Sequence, residues 1–170
     1  MLIQGKKVYL NTVDFCDLDF ICEVELNEEL WKYEEDEEKD VLLIKNSYIE
    51  RMRKSSAYDF VAYEASTNVK IGIGDIREYI GYENCFEIGY AILPSYQNRG
   101  YGKECAKLLI EYGFKYLNAL RIVAICNIKN KKSQVVLENA GMARLEIFKN
   151  ALLCDGELVD ACFFSILNEP

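Results

Sequence analysis

The chain has 170 residues, and 51% of them are hydrophobic, enough for a single domain over 1–170 with one substantial core. Its net charge of −8 argues against general nucleic-acid binding, which needs a cationic surface to displace counterions. No apolar run approaches the roughly 18 residues that cross a membrane, and residues 1–7 lack the apolar stretch of a signal peptide, so the cytoplasm is the default expectation.

Residues 7–13 alternate as a first strand. Asp14 then reads as a helix N-cap, with Asp17 three residues on and Phe15, Leu18, Ile21 and Cys22 on one face. That helix fades near Asn27. The acidic run 34–40 reads as a loop or a helix start. Apolar residues at Val41, Ile44, Tyr48, Ile49 and Met52 predict a second helix over 41–54. After Ser55-Ser56 the pattern changes. Stretches 58–65, 70–80 and 83–93 are rich in β-branched and aromatic residues, with turn residues at 67–68 and 81–84, and predict an antiparallel meander. An amphipathic helix over 103–117 follows, then a short apolar strand over 120–126. A helix over 130–140 is closed by Gly141. Stretches 142–152 and 157–167 flank Cys154-Asp155-Gly156, a hairpin signal. The order is strand, two helices, three strands, helix, strand, helix, two strands. This is α/β with a mixed sheet, and the strand-helix-strand unit in the middle predicts a local parallel pairing.

Seven scattered cysteines, an odd number without any C-x-x-C, read as small buried apolar residues rather than a disulfide or zinc framework, so no metal is expected. The absence of histidine excludes every Ser-His or Cys-His catalytic arrangement.

Gln97-Asn98-Arg99-Gly100-Tyr101-Gly102 joins a strand ending in Leu93-Pro94 to the helix over 103–117. A glycine-bearing, basic turn at a helix N-terminus leaves backbone N–H groups free to attract phosphate. It is not a Walker A loop, because Glu104 follows Gly102-Lys103 and position 97 is not glycine. Nor is it a dinucleotide fingerprint, because Cys105 stands where the third glycine belongs.

The remaining pattern, Q-x-x-G-x-G, resembles the (Q/R)-x-x-G-x-(G/A) signature of the GNAT acetyltransferase superfamily. Further resemblances follow in chain order: Glu87-Ile88-Gly89-Tyr90 before the turn, Asn130-Lys131-Lys132-Ser133 at the next helix start, Leu137-Glu138-Asn139-Ala140-Gly141 at its end, and Asp155 to Asp160 in the last hairpin. Together they span nearly the whole chain and look closest to the ribosomal-protein N-terminal acetyltransferase branch. The resemblance implies a GNAT fold, a mixed, mostly antiparallel sheet of six to seven strands with a splayed central pair and about four helices.

It also implies an acetyl-CoA-dependent N-acetyltransferase in which a primary amine attacks directly in a ternary complex. Backbone amides of Asn98 to Lys103, with Gln97, Arg99, Gly100, Tyr101, Gly102 and Lys103, would hold the pyrophosphate of acetyl-CoA. Backbone groups of Ile92 and Leu93 would be left unpaired for the pantetheine, with an N–H near Ile92 facing the oxyanion. Asn130 and Ser133 would approach the cofactor, and Lys129, Lys131 and Lys132 either reach its ribose-phosphate end or merely face solvent. Glu87 is the candidate base, weighed equally against a structural acid. Ser133 is the candidate acid, because Leu137 occupies the place where many relatives carry tyrosine. Its competing reading is a helix-start hydroxyl. Trp31, Tyr33, Glu34 and Tyr90 would face the acceptor, although a solvated acidic loop is the simpler reading of the run beside them.

The acceptor must be neutral to attack. At pH 7 a lysine-like amine of pKa about 10.4 pays about 4.6 kcal/mol, and an α-amine of pKa about 8 about 1.4 kcal/mol. Protein N-termini, polyamines and small amines all stay open as acceptors. A homodimer is compatible with the sequence but not required by it. The alternative reading is a non-catalytic sensor of acyl-CoA with the same fold.

Overall fold

The computed structural model describes residues 1–34, 39–54 and 57–168. The strands are β1 (Leu2–Gln4), β2 (Val8–Thr12), β3 (Ala57–Glu64), β4 (Lys70–Glu78), β5 (Cys85–Ile92), β6 (Arg121–Asn127), β7 (Ala143–Cys154) and β8 (Glu157–Leu167). The helices are α1 (Leu18–Glu25), α2 (Glu28–Trp31), α3 (Val41–Met52), α4 (Tyr101–Tyr116) and α5 (Lys131–Ala140). Among the described residues the strands form one eight-stranded sheet in the order β1-β2-β3-β4-β5-β6-β8-β7. Every neighbouring pair is antiparallel except β5 and β6. The fold class is α/β with a mixed sheet, as the resemblance implies, with one more strand and one more helix than the expected upper counts.

The two additions are short. β1 has three residues and pairs with β2 across Gly5-Lys6, where the Lys7 N–H donates to Glu104 Oε1 at 2.9 Å. α2 is a single turn. Neither is long enough to show a period in sequence.

Two apolar cores lie on opposite faces of the sheet. On one face α4 and α5 cover Val8, Leu10, Phe60, Ile71, Ile76, Ile122 and Phe164, with Cys105, Leu109 and Tyr112 of α4 packed down upon them. Fully burying such a side chain stabilises the fold by about 1.5–3 kcal/mol. On the other face α1 and α3 cover Ile73, Ala91 and Leu93 with Leu18, Ile21, Val24, Ile44 and Tyr48. This second layer covers β4 and β5 in the middle of the sheet, beside the site. Val41 departs from the expected stripe of α3: it is 42% exposed, while Ile44 and Tyr48 carry the burial. The helix start is fixed instead by Asp40, whose carboxylate accepts from the N–H groups of Leu42 and Leu43. Six of the seven cysteines are buried, and Cys16 is exposed.

Candidate active site

β5 and β6 pair over only three residues, Cys85↔Arg121, Phe86↔Ile122 and Glu87↔Val123. Beyond Glu87 the strands part and a cavity of about 790 Å³ opens between them. Gly89, Tyr90, Ala91 and Ile92 form one wall, and Ala124, Ile125 and Cys126 the other. Lys129 to Ser133 stand over the gap, Gly100, Gly102 and Lys103 bound one end, and Trp31, Tyr33 and Glu34 bound the other. The acidic run continues into residues 35–38, which lie outside the described residues.

Strand parity decides which backbone groups face the gap. The Leu93 N–H donates to the Ile71 carbonyl at 2.9 Å, and β4 pairs Ile73 with Ala91 and Asp75 with Gly89. Alternate residues of a strand turn their N–H and C=O to opposite neighbours. Leu93 therefore spends its N–H on β4, contrary to expectation, and the residues directed at the gap are Tyr90 and Ile92. The Ile92 carbonyl accepts from Gln97 Nε2 at 3.0 Å, and Lys132 Nζ donates to Gln97 Oε1 at 3.3 Å. The Gln97 side chain thus braces the end of β5 against the start of α5 across the cavity mouth.

The glycine turn is built from left-handed residues. Asn98 has φ 61, and Gly100, the N-cap of α4, has φ 84 and ψ 4. No side chain caps α4 at Gly100, so its first amides stay directed outward. Lys7 Nζ donates to the Arg99 carbonyl at 3.2 Å and brings a further cation to the turn. Arg99 lies over the Tyr96 ring, 5.6 Å from its centroid, and the Tyr101 hydroxyl donates to Glu64. Arg99 and Tyr101, like Leu93, are outside the cavity lining; the Arg99 and Tyr101 side chains are engaged elsewhere, and only their backbone bears on the turn.

At the start of α5, Asn130 Oδ1 accepts from the Ser133 N–H at 3.1 Å. Asn130 is the cap, so Ser133 Oγ has another use. It lies 3.4 Å from the Tyr90 hydroxyl. Burial holds the Tyr90 hydroxyl well above the usual tyrosine range. Cys126 borders the same hydroxyl of Ser133, and burial, then the neighbouring Cys162, push its thiol up to about 12. Tyr33 is held by its carbonyl, which accepts from Asn127 Nδ2 at 2.9 Å, and Trp31 by its Nε1, which donates to the Val24 carbonyl at 2.9 Å. These two bonds fix the loop that closes the cavity end.

A charged network lies beside the gap on the face covered by α1 and α3. Glu87 does not line the cavity; Arg77 Nε donates to its Oε2 at 3.4 Å. Arg77 Nη1 is also 4.0 Å from Asp75 Oδ2, and Arg51 Nη2 is 3.0 Å from Asp59 Oδ1. Register aligns Asp59, Asp75 and Gly89 across β3, β4 and β5. A Cβ at Gly89 would collide with Asp75 Oδ1, so the missing side chain is what lets that carboxylate lie against the strand that walls the cavity. Burial raises Asp75, opposed by Arg77 and Arg51. Sequence reasoning missed Asp75, Arg77 and Asp59. The one hint was Gly89 inside a strand, a mark of close approach.

Burial also raises Asp59, to about 6 from its ordinary 3.8, against the pull of Arg51. A raised acid favours the protonated folded form, so its contribution is fully present below the unfolded value and is lost as pH rises through about 6. The difference corresponds to about 3 kcal/mol. In urea unfolding between pH 4 and 7, the wild type should therefore lose about 2–3 kcal/mol more than Asp59→Asn. Parallel pH curves for the two proteins would refute this.

The family model described as Acetyltransferase (GNAT) domain matches residues 7–143. The uncharacterized N-acetyltransferase YnaD of Bacillus subtilis (strain 168) is 30% identical over 172 aligned residues, covering 99% of this chain and 98% of its own length. A GNAT-family acetyltransferase structure from Bacillus anthracis superposes with TM-score 0.87 at 28% identity, covering 98% of both chains. Two more distant structures share the fold. A ribosomal-protein-S5-alanine acetyltransferase from Vibrio fischeri has TM-score 0.86 at 20% identity, covering 99% of this chain and 97% of its own. A spermidine N-acetyltransferase from Vibrio cholerae, in complex with CoA and spermine, has TM-score 0.86 at 21% identity, covering 96% of each. The splayed β5–β6 pair, the glycine-capped α4 and these likenesses agree, and the chain belongs to the GNAT family of N-acetyltransferases.

Proposed function

We propose that the protein transfers the acetyl group of acetyl-CoA to a primary amine by direct attack in a ternary complex. The observation that carries this reading is the parted β5–β6 pair with the uncapped N-terminus of α4 at one end of the gap. Acetyl-CoA enters as a substrate. Its pyrophosphate fits the outward amides of residues 100–103, with Asn98 and Gly100 supplying the left-handed bends that expose them. Its amide-bearing arm fits the edge of β5, where Tyr90 and Ile92 direct backbone groups into the gap. Lys129, Lys131 and Lys132 edge the same cavity and suit its remaining phosphate.

The acceptor fits the end bounded by Trp31, Tyr33 and Glu34. Glu34 at this end, with the carboxylates of Asp75 and Glu87 beside the gap on the α1 and α3 face, favours a cationic amine, which must lose a proton before it attacks. Glu87 takes that proton through a water, because its carboxylate is beside the gap rather than in it. Ser133 faces the leaving sulfur from the first turn of α5. The solved neighbour bound to spermine and the one named for a ribosomal protein mark the two acceptor classes to try first.

The test is coenzyme A release with a panel of amines: spermidine, spermine, aminoglycosides, and peptides with free N-termini. At least one class should be acetylated with saturation, and product mass should rise by one acetyl group. Tight binding of acetyl-CoA with no amine ever acetylated would defeat the enzymatic reading and leave the sensor.

A further inference from the structure

Tyr90 is the only side chain of β5 whose hydroxyl crosses from the strand to the first turn of α5. It rests on the α4 and α5 face of the sheet, as does Cys126 of β6. Ser133 hangs between them. The three polar groups therefore span the strand gap from both walls and from above, on the face that carries the glycine turn. A Cβ at Gly102 would lie 3.7 Å from Tyr90 Cε2 and 3.8 Å from both Cγ atoms of Val136, so the Tyr90 ring is packed between the first turn of α4 and α5. That packing fixes where its hydroxyl points.

A serine hydroxyl has one proton to donate and two lone pairs to accept with. The Ser133 N–H is already held by Asn130, so nothing in the helix end requires its hydroxyl. Among the described residues Ser133 Oγ is the one hydrogen-bond partner of the Tyr90 hydroxyl. Either hydroxyl can donate in this contact; when Tyr90 does, Ser133 Oγ is the acceptor and its own proton is turned away. What remains for that proton is Cys126 Sγ, a weak acceptor, or an atom in the cavity.

We propose that Tyr90 is a positioning residue for the leaving group: it donates to Ser133 Oγ and thereby aims the Ser133 proton at the departing sulfur of coenzyme A. The inference rests on the acetyl-transfer reading above. When the amine nitrogen bonds to the acetyl carbon, the C–S bond breaks and its electron pair stays on sulfur. Of the two protons the ammonium nitrogen loses overall, one ends on that sulfur and the other goes to solvent. Ser133 lends a hydrogen bond to the sulfur while it is negative, and Tyr90 keeps that bond in place. Burial holds the Tyr90 proton on its oxygen, so that Tyr90 has a proton to donate throughout.

The test needs no acceptor. Coenzyme A is bound to the protein, and the ionisation of its thiol is followed by thiolate absorbance against pH, with the desulfo-coenzyme A complex as the blank. The wild type should lower the pKa of the bound thiol below that of free coenzyme A by about one pH unit, a tenfold gain in thiolate at a given pH. Tyr90→Phe keeps the ring packing and should give back about three- to tenfold of that gain, while affinity for desulfo-coenzyme A stays within about twofold. Ser133→Ala should lose the whole gain, and Tyr90→Phe/Ser133→Ala should equal Ser133→Ala, because one residue acts through the other. If the bound thiol ionises alike in wild type and Tyr90→Phe, or if the two losses add, the proposal is wrong. If coenzyme A fails to bind at all, the acetyl-transfer reading falls first and takes this one with it.

Discussion

Gly100→Asp should weaken binding of coenzyme A at least a hundredfold, about 2.7 kcal/mol, in calorimetric titration. Backbone strain contributes little: Gly100 stands at φ 84, where a side chain costs about 1–2 kcal/mol unless it is Asn or Asp, which bear that region better. The dominant effect is charge. An aspartate at the N-cap places its carboxylate among the amides that would meet the pyrophosphate, so it both occupies those donors and repels the ligand. Steric crowding contributes little, because the nearest atom to a Cβ there is Lys7 Nζ at 3.8 Å. That lysine would also be drawn to the new carboxylate and away from the ligand. Gly100→Asn separates the terms. It has nearly the same shape and the same tolerance of left-handed backbone but no charge, and should lose no more than about tenfold. Thermal unfolding should change little in either variant, because Asp and Asn are both good caps. Unaltered affinity in Gly100→Asp would mean that phosphate does not bind at this turn.

The turn was legible in sequence because its determinants are local. Gly100, Gly141 and Asp155-Gly156 all have positive φ in the structure, and each marks the element boundary that its residue type announces. The Asn130 cap is equally local. Register is not local. The sequence places Leu93 at the gap, but its N–H belongs to β4, an offset of one residue that turns a strand's backbone to the other neighbour. Asp75 was invisible because its nearness to Gly89 depends on antiparallel pairing across 14 residues of chain, 75 to 89. Tyr90 and Ser133 are 43 residues apart, and their meeting depends on the depth at which α5 packs. Ser133 itself was ambiguous for a reason the structure removes: a serine in a first helical turn can serve the backbone, but here Asn130 already does so.

Glu87→Gln should lower kcat for the best amine by about a hundredfold, in the range of a lost general base, and leave coenzyme A affinity within about twofold. The substitution keeps an oxygen for Arg77 Nε, so the local framework should survive and thermal stability should move little. It removes only the charge. The alternative, that Glu87 merely anchors Arg77, makes a different demand. Arg77 lies between two carboxylates, at 3.4 Å from Glu87 and 4.0 Å from Asp75. Neutralising Glu87 would then leave Arg77 to Asp75 alone, strengthen that pair, and hold Asp75 more firmly ionised against Gly89. A structural Glu87 therefore predicts unchanged kcat with a modest fall in KM for a cationic acceptor, the reverse of a lost base. Asp75→Asn decides between them. If Glu87 is the base, this variant should raise KM while sparing kcat, because it removes a counter-charge near the acceptor. If Asp75→Asn instead takes the hundredfold loss and Glu87→Gln does not, proton removal belongs to the carboxylate against Gly89, and Glu87 serves only to hold the arginine between them.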